Sequence, residues 1–130
     1  MFITLQMNSD VPIYMQIHDQ IVEGIASGNI KENTVLPSAR RLAMDIGINF
    51  HTVNKAYTLL KQDGFIIIYR KRAIVRQSGN TSLDSEVMKM WKENEKKLIS
   101  EAIARGLSYE EIMNLFKNLL YSIKKNKDVM

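Results

Sequence analysis

The chain is expected to be mainly α-helical with one small β-hairpin, and three observations predict it. Apolar residues recur at helical spacing in five separate windows, each bounded by Gly, Pro or a short polar residue. Two short runs rich in β-branched residues, "FIIIY" and "AIVRQ", stand side by side with only "RKR" between them. A polar stretch, "QSGNTS", then separates this region from a tail of two helical patterns.

Taken in order, "FITL" at Phe2 to Leu5 alternates and is expected to form a short strand. "NSDVP" then offers Asp10 as a cap, with Pro12 in the first helical turn. Ile13, Ile17, Ile21 and Ile25, flanked by Tyr14 and Val22, keep one apolar stripe along a first helix, which Gly28 ends in the left-handed manner. "IKENTV" connects onward, with a brief extended piece at Thr34 to Leu36. Ser38 caps a second helix whose apolar members are Leu42, Ala43 and Ile46, and Gly47 stops it. Asn49 caps a third, in which Val53, Ala56, Tyr57 and Leu60 repeat at i, i+3, i+4 and i+7 and so face the core. The hairpin follows, with a basic tip. Strand, helix, helix, turn, helix and hairpin together describe a winged helix-turn-helix.

After "QSGNTS", Val87, Met90, Trp91, Leu98, Ile99, Ala102 and Ile103 mark a long helix from Leu83 to about Arg105, stopped by Gly106. Ser108 and Glu111 form a capping box for the last helix, and Leu107 and Ile112 supply the hydrophobic staple. "KKNK" near the end of that helix suits its dipole. The expected organisation is a winged helix-turn-helix domain over residues 1–77, a linker over 78–82, and a two-helix dimerisation element over 83–130.

Composition narrows the function classes. The 130 residues contain no Cys, which excludes disulfides and thiolate zinc sites, and only two His, at positions 18 and 51. No Gly-rich phosphate loop, paired His, or Ser, His and acid cluster is present, so no enzyme, catalytic residue, cofactor or metal is expected. The start, "MFITLQMNSD", lacks a basic segment followed by an apolar run, and nowhere do 18 apolar residues follow one another. A cytoplasmic protein with no membrane partner is expected.

The net charge of +4 is unevenly spread. Between Ser38 and Arg76 lie eight bases and two acids, a net +6, whereas Thr81 onward carries nine bases and eight acids. A polyanion would meet the middle of the chain. The face of the third helix opposite its core stripe carries His51, Asn54, Lys55, Thr58 and Gln62, with Thr52 at its flank, and these are side chains that read base edges and bind phosphates. Asn54 suits adenine, Lys55 suits guanine or a phosphate, and Thr52 and His51 suit single contacts. Arg40 and Arg41 on the second helix and Arg70, Lys71 and Arg72 at the hairpin tip complete the basic surface, Lys71 or Arg72 being placed to reach a minor groove.

These residues resemble the GntR-type bacterial transcription regulators, and more narrowly their YtrA-like branch. The resemblance rests on "PIYMQI", "LPSARRLAMDIGIN", "TVNKAYTLL" and "DGF", in that order and spacing, and covers most of the chain. It implies DNA contacts from Ser38 and Arg40 and from Asn49, Thr52 and Lys55, with Arg40 on a phosphate or base edge. The short two-helix tail is what points to the YtrA-like branch, where the tail is implicated in dimerisation. The chain departs from the family pattern at Ala39 and Arg41, where glutamates are frequent, at Phe50 and His51, where proline or arginine is common, and at the hairpin tip, which lacks the usual glycine.

The expectation is a sequence-specific DNA-binding transcriptional regulator, a homodimeric repressor of an inverted-repeat, double-stranded operator. Its dimer would form through Trp91, Leu98, Ile112, Leu115, Phe116, Leu119, Leu120 and Ile123, because two helices cannot bury so many apolar groups alone. Two alternatives stand beside it: a metabolite-responsive regulator with an effector pocket in the C-terminal helices, and a winged-helix protein-interaction module. An effector is not indicated by any motif, and the second alternative would not need the basic excess.

Overall fold

The computed structural model describes residues 3–76 and 85–124, which fall into two compact units. The first contains helices α1 (Ile13–Ser27), α2 (Ala39–Ile46) and α3 (Phe50–Gln62) and strands β1 (Ile66–Tyr69) and β2 (Arg72–Val75). The second contains α4 (Ser85–Ala104) and α5 (Tyr109–Lys124). This is the mainly helical fold with one hairpin that the periodicity predicts. Phe2, Gln77, the linker expected at 78–82, the expected helix start at Leu83, and the chain beyond Lys124 lie outside the described residues.

In the first unit α1, α2 and α3 close on one apolar core. Ile17 and Ile21 of α1 are fully buried, as are Val53, Ala56 and Leu60 of α3, with Leu42 and Ala43 of α2, Leu36 and Tyr57 nearly so. Removing the bulk of such a residue, as in Leu60→Ala, costs about 2–5 kcal/mol, so the apolar stripes are what hold the helices together. His18 adds a polar tie from α1 to the end of α3: its Nε2 lies 3.0 Å from Asp63 Oδ2 and its Nδ1 2.9 Å from Asp19 Oδ1.

The chain before α1 differs from expectation in two ways. Asp10 is not the cap: the helix begins at Ile13 with Pro12 at the N-cap position and no side-chain cap. Nor does the segment around Ile3 to Leu5 form a strand. Both differences have the same cause, a pair of glutamines four residues apart on α1. The Gln20 amide accepts from Thr4 N–H (2.9 Å) and donates to Thr4 C=O (2.6 Å), and the Gln16 amide accepts from Gln6 N–H (2.8 Å) and donates to Gln6 C=O (3.0 Å). Four helical residues rise about 6 Å and two extended residues about 6.6 Å, so the two side chains match alternate peptide groups of an extended chain. Gln16 also donates to Val11 C=O at 2.9 Å, which fixes the entry to the helix without a cap.

Local capping follows the sequence elsewhere. Ser38 Oγ accepts the Arg41 N–H at 3.1 Å and starts α2, and Asn49 Oδ1 accepts the His51 N–H at 2.7 Å and starts α3. Between them Gly47 takes φ +72°, a left-handed conformation that lets α3 leave α2 after a turn of three residues. Tyr57 Oη donates to Pro37 C=O at 2.6 Å and pins the entry of α2 onto α3. Burial pushes the Tyr57 phenol well above its ordinary range, so it stays a donor at any working pH.

The hairpin is antiparallel in the register Ile66↔Val75, Ile67↔Ile74, Ile68↔Ala73 and Tyr69↔Arg72. The extended piece expected at Thr34 to Leu36 lies along the free edge of β2, with Leu36 N–H on Ala73 C=O at 2.8 Å and Val75 N–H on Thr34 C=O at 2.9 Å. Ile66, Ala73 and Val75 face the core, which leaves Ile67, Tyr69, Arg72 and Ile74 on the opposite face. The expected three-residue tip is in fact a two-residue turn of Arg70 and Lys71, and Arg72 belongs to β2.

In the second unit the capping box forms as expected: Ser108 N–H donates to Glu111 Oε1 (2.8 Å) and Glu111 N–H donates to Ser108 Oγ (3.1 Å). The Ser108 hydrogen bonds hold the Glu111 carboxyl below its usual range. Its contribution to the start of α5 is therefore present above the ordinary carboxylate range and is lost as pH falls through it. No residue of α5 is buried, and among the described side chains of α4 none is either.

Candidate nucleic-acid interface

Because α3 buries Val53, Ala56, Tyr57 and Leu60, the geometry of a helix obliges its other side to carry His51, Asn54, Lys55, Thr58 and Gln62. All five are exposed, and Thr52 is half-buried at the flank. Asn49 caps α3 with its side-chain oxygen, which leaves the two N–H donors of its amide for another partner. Thr58 Oγ1 donates back to Asn54 C=O at 2.9 Å, fixing its hydroxyl beside Asn54.

The cations around this face are not equivalent. Arg41 is drawn to Asp45, its Nε lying 3.1 Å from Oδ1 and 3.3 Å from Oδ2. Arg40, one residue earlier, makes no ion pair among the described residues; its guanidinium carbon lies over the Phe50 ring, 4.4 Å from the centroid. Lys55 leans away toward α1, its Nζ 4.0 Å from the centroid of Tyr14. Arg70 folds back over Tyr69 at 5.3 Å, and Arg72 stands on the face of the hairpin turned away from the core. Of the three hairpin cations, Lys71 is the one that lines a groove between α3 and the hairpin. Ser38, Asn54, Thr58 and Lys61 form the polar side of that groove, and Ala39, Tyr57, Ile68 and Ala73 its apolar floor. Sequence reasoning passed over Lys61, although Asn54, Thr58 and Lys61 at i, i+4 and i+7 carried the signal of one helical stripe. Among the described residues no group of three or more His, Cys, Asp or Glu is placed to hold a metal ion.

The hairpin turn stores backbone strain. Arg70 and Lys71 have φ of +52° and +66°, the pair of left-handed residues of a type I′ turn, where Asn-Gly is the favoured dipeptide. Two long cationic side chains occupy positions that cost about 1–2 kcal/mol relative to that dipeptide. Replacing Arg70 by Asn together with Lys71 by Gly is expected to raise the melting temperature by roughly 4–8 °C. The same variant is expected to bind duplex DNA several-fold more weakly in fluorescence anisotropy; equal affinity would remove the hairpin tip from the interface.

A helix-turn-helix flanked by a hairpin, with one polar helix face and a rim of cations, defines a winged-helix DNA-binding regulator. The description "Bacterial regulatory proteins, gntR family" matches residues 13–75, which span all three helices and the hairpin. Over 126 residues the chain is 35% identical to the HTH-type transcriptional repressor YtrA of Bacillus subtilis (strain 168), covering 96% of this chain and 97% of that one. Among solved structures it is similar to a transcriptional antiterminator from Listeria monocytogenes EGD-e, with a TM-score of 0.87, 29% identity, and 95% and 92% of the two chains covered. It is also similar to YtrA from Sulfolobus acidocaldarius, a GntR-family transcription factor, with a TM-score of 0.58, 36% identity, and 92% and 97% covered. The chain belongs to the gntR family of DNA-binding transcriptional regulators, and it is not an enzyme. No helix among the described residues is long and apolar enough to cross a membrane.

Proposed function

We propose that the protein is a cytoplasmic homodimeric repressor that occludes a promoter by binding an inverted-repeat operator. In this reading α3 enters the major groove, where Asn54, His51 and Asn49 meet base edges. Ser38, Thr52, Lys55 and Lys61 hold phosphates, and Arg40 reads a base edge from the start of α2. Lys71 and Arg70 approach the adjacent backbone from the hairpin. Arg41, tied to Asp45, and Arg72, on the outward face, contribute charge at longer range. The observation that carries the reading is the groove in which Asn54, Thr58 and Lys61 of α3 meet Ser38 and Lys71, with Arg40 two residues after Ser38; none of the three cations has an acidic partner among the described ion pairs. The similarity to a named repressor of the same length supports the sign of regulation.

The dimer brings together two copies through the apolar face of α5, with Trp91 and Leu98 of α4. It spaces the two α3 helices by roughly 34–36 Å or a multiple, one turn of the duplex. Selection of bound sequences from a random duplex library at two salt concentrations tests the whole reading. The expected result is an enriched inverted repeat, with log affinity falling linearly against log salt at a slope of about −0.9 per phosphate contacted. Salt-sensitive binding with no enriched motif would overturn the operator reading, and retention independent of salt would favour the protein-interaction module.

A further inference from the structure

We infer that Phe50 is a specificity-determining platform that holds the Arg40 guanidinium in one plane for base reading, a role that rests on the DNA-binding reading above. Phe50 is the first residue of α3 and is itself anchored, half-buried against the core of the first unit. The Arg40 guanidinium carbon lies 4.4 Å from its ring centroid, and the His51 ring lies 5.3 Å from it at a tilt of 58°. One apolar ring thus meets a polar side chain from each of the two helices of the turn.

The chemistry of the contact decides what it does. A guanidinium centred over a ring face is held by the ring quadrupole and not by a carboxylate or carbonyl acceptor, so its N–H donors are not taken up by an acid. A bidentate contact to the O6 and N7 edge of guanine needs that planar fork in a fixed orientation, and an unanchored exposed arginine loses rotamer freedom to reach it. Arg41 shows the alternative fate of an arginine on the same turn, in which Asp45 takes up its Nε. Phe50 supplies orientation without supplying a competing acceptor. It acts through Arg40 and is a positioning residue, and it stands where the family resemblance leads one to expect proline or arginine.

The test measures binding of the full chain by fluorescence anisotropy to its selected operator and to duplexes carrying each single base-pair change. The proteins compared are the parent, Phe50→Leu, Phe50→Tyr, Arg40→Ala and the Phe50→Leu, Arg40→Ala double variant. Arg40→Ala should lose discrimination at one base pair per half-site. Phe50→Leu should lose roughly five- to tenfold of the discrimination at that same base pair, with an unchanged salt slope, and Phe50→Tyr should retain it. The double variant should lose no more than Arg40→Ala alone, since both remove one contact. Should Phe50→Leu lower the melting temperature, Phe50→Met keeps the apolar volume without a ring face and reads the same quantity. Full discrimination by Phe50→Leu, loss at a different base pair, or additivity with Arg40→Ala would overturn the platform role. Absence of any sequence preference in the parent protein would instead overturn the regulator reading, and this role with it.

Discussion

Replacing Phe116 and Leu119 by glutamate is expected to turn the protein into a monomer and to weaken operator binding by a hundredfold or more. The α5 helix is strongly amphipathic, with Ile112, Leu115, Phe116, Leu119, Leu120 and Ile123 on one side, yet no residue of it is buried. Leu115, Leu119, Leu120 and Ile123 keep between 43% and 55% of their surface exposed, and Trp91 and Leu98 on α4 are 48% and 58% exposed. Apolar faces of this extent stay out of water when another surface covers them, and a second copy offers the same face by symmetry. Losing the partner turns a linked pair of half-site contacts into a single one, and linkage of that kind is worth on the order of 10²–10⁴ in affinity. The substituted residues stand outside the core of the first unit, so the helix-turn-helix should melt as before. Sizing with light scattering reads the mass, and a dimer that persists would move the interface to another surface.

Arg40→Ala is expected to weaken operator binding by about 1–3 kcal/mol per half-site, roughly 5- to 150-fold, while Arg41→Ala changes it by less than about 0.5 kcal/mol. The two residues are adjacent and both exposed, and although the family resemblance names Arg40, charge and spacing alone do not rank them. Geometry does, because Arg41 already spends its Nε on Asp45 whereas Arg40 presents its donors from the Phe50 ring. Neither substitution touches the buried core, so circular dichroism should show both variants folded. An Arg40→Ala protein that binds as tightly as the parent at moderate salt would remove Arg40 from the contacts and leave the α3 face to account for specificity.

The elements that sequence predicted well are those whose physics is local. Ser38, Asn49 and the Ser108–Glu111 box act within three residues of themselves, and each is formed. The stripe of Val53, Ala56, Tyr57 and Leu60 needed only the helical period, and that period also named the exposed face of α3. The failures lie where contacts run far along the chain or hinge on a single residue of register. Thr4 meets Gln20 across 16 positions and Gln6 meets Gln16 across 10, so no pattern local to "FITL" reveals that glutamines replace a neighbouring strand. At the hairpin, a turn of two residues in place of three moved Arg72 into the strand, and with a side-chain period of two that shift sets it on the outward face.

By itself the sequence determined a mainly helical winged fold, the caps at Ser38, Asn49 and Ser108, the core stripe, the basic middle of the chain and the family to which it belongs. The fold, caps, stripe and charge follow from periodicity, composition and short-range hydrogen bonding, which a linear string contains in full, and the family from the resemblance that motifs such as "LPSARRLAMDIGIN" and "TVNKAYTLL" carry. Only the tertiary structure decided which neighbour each cation rests against. Arg41 is held by Asp45, Lys55 lies on Tyr14 and Arg70 on Tyr69, while Arg40 rests on Phe50 and Lys71 lines the groove with Lys61. A long charged side chain has many rotamers of similar energy, and it is the neighbour brought up by folding, a carboxylate or an aromatic face, that selects one of them.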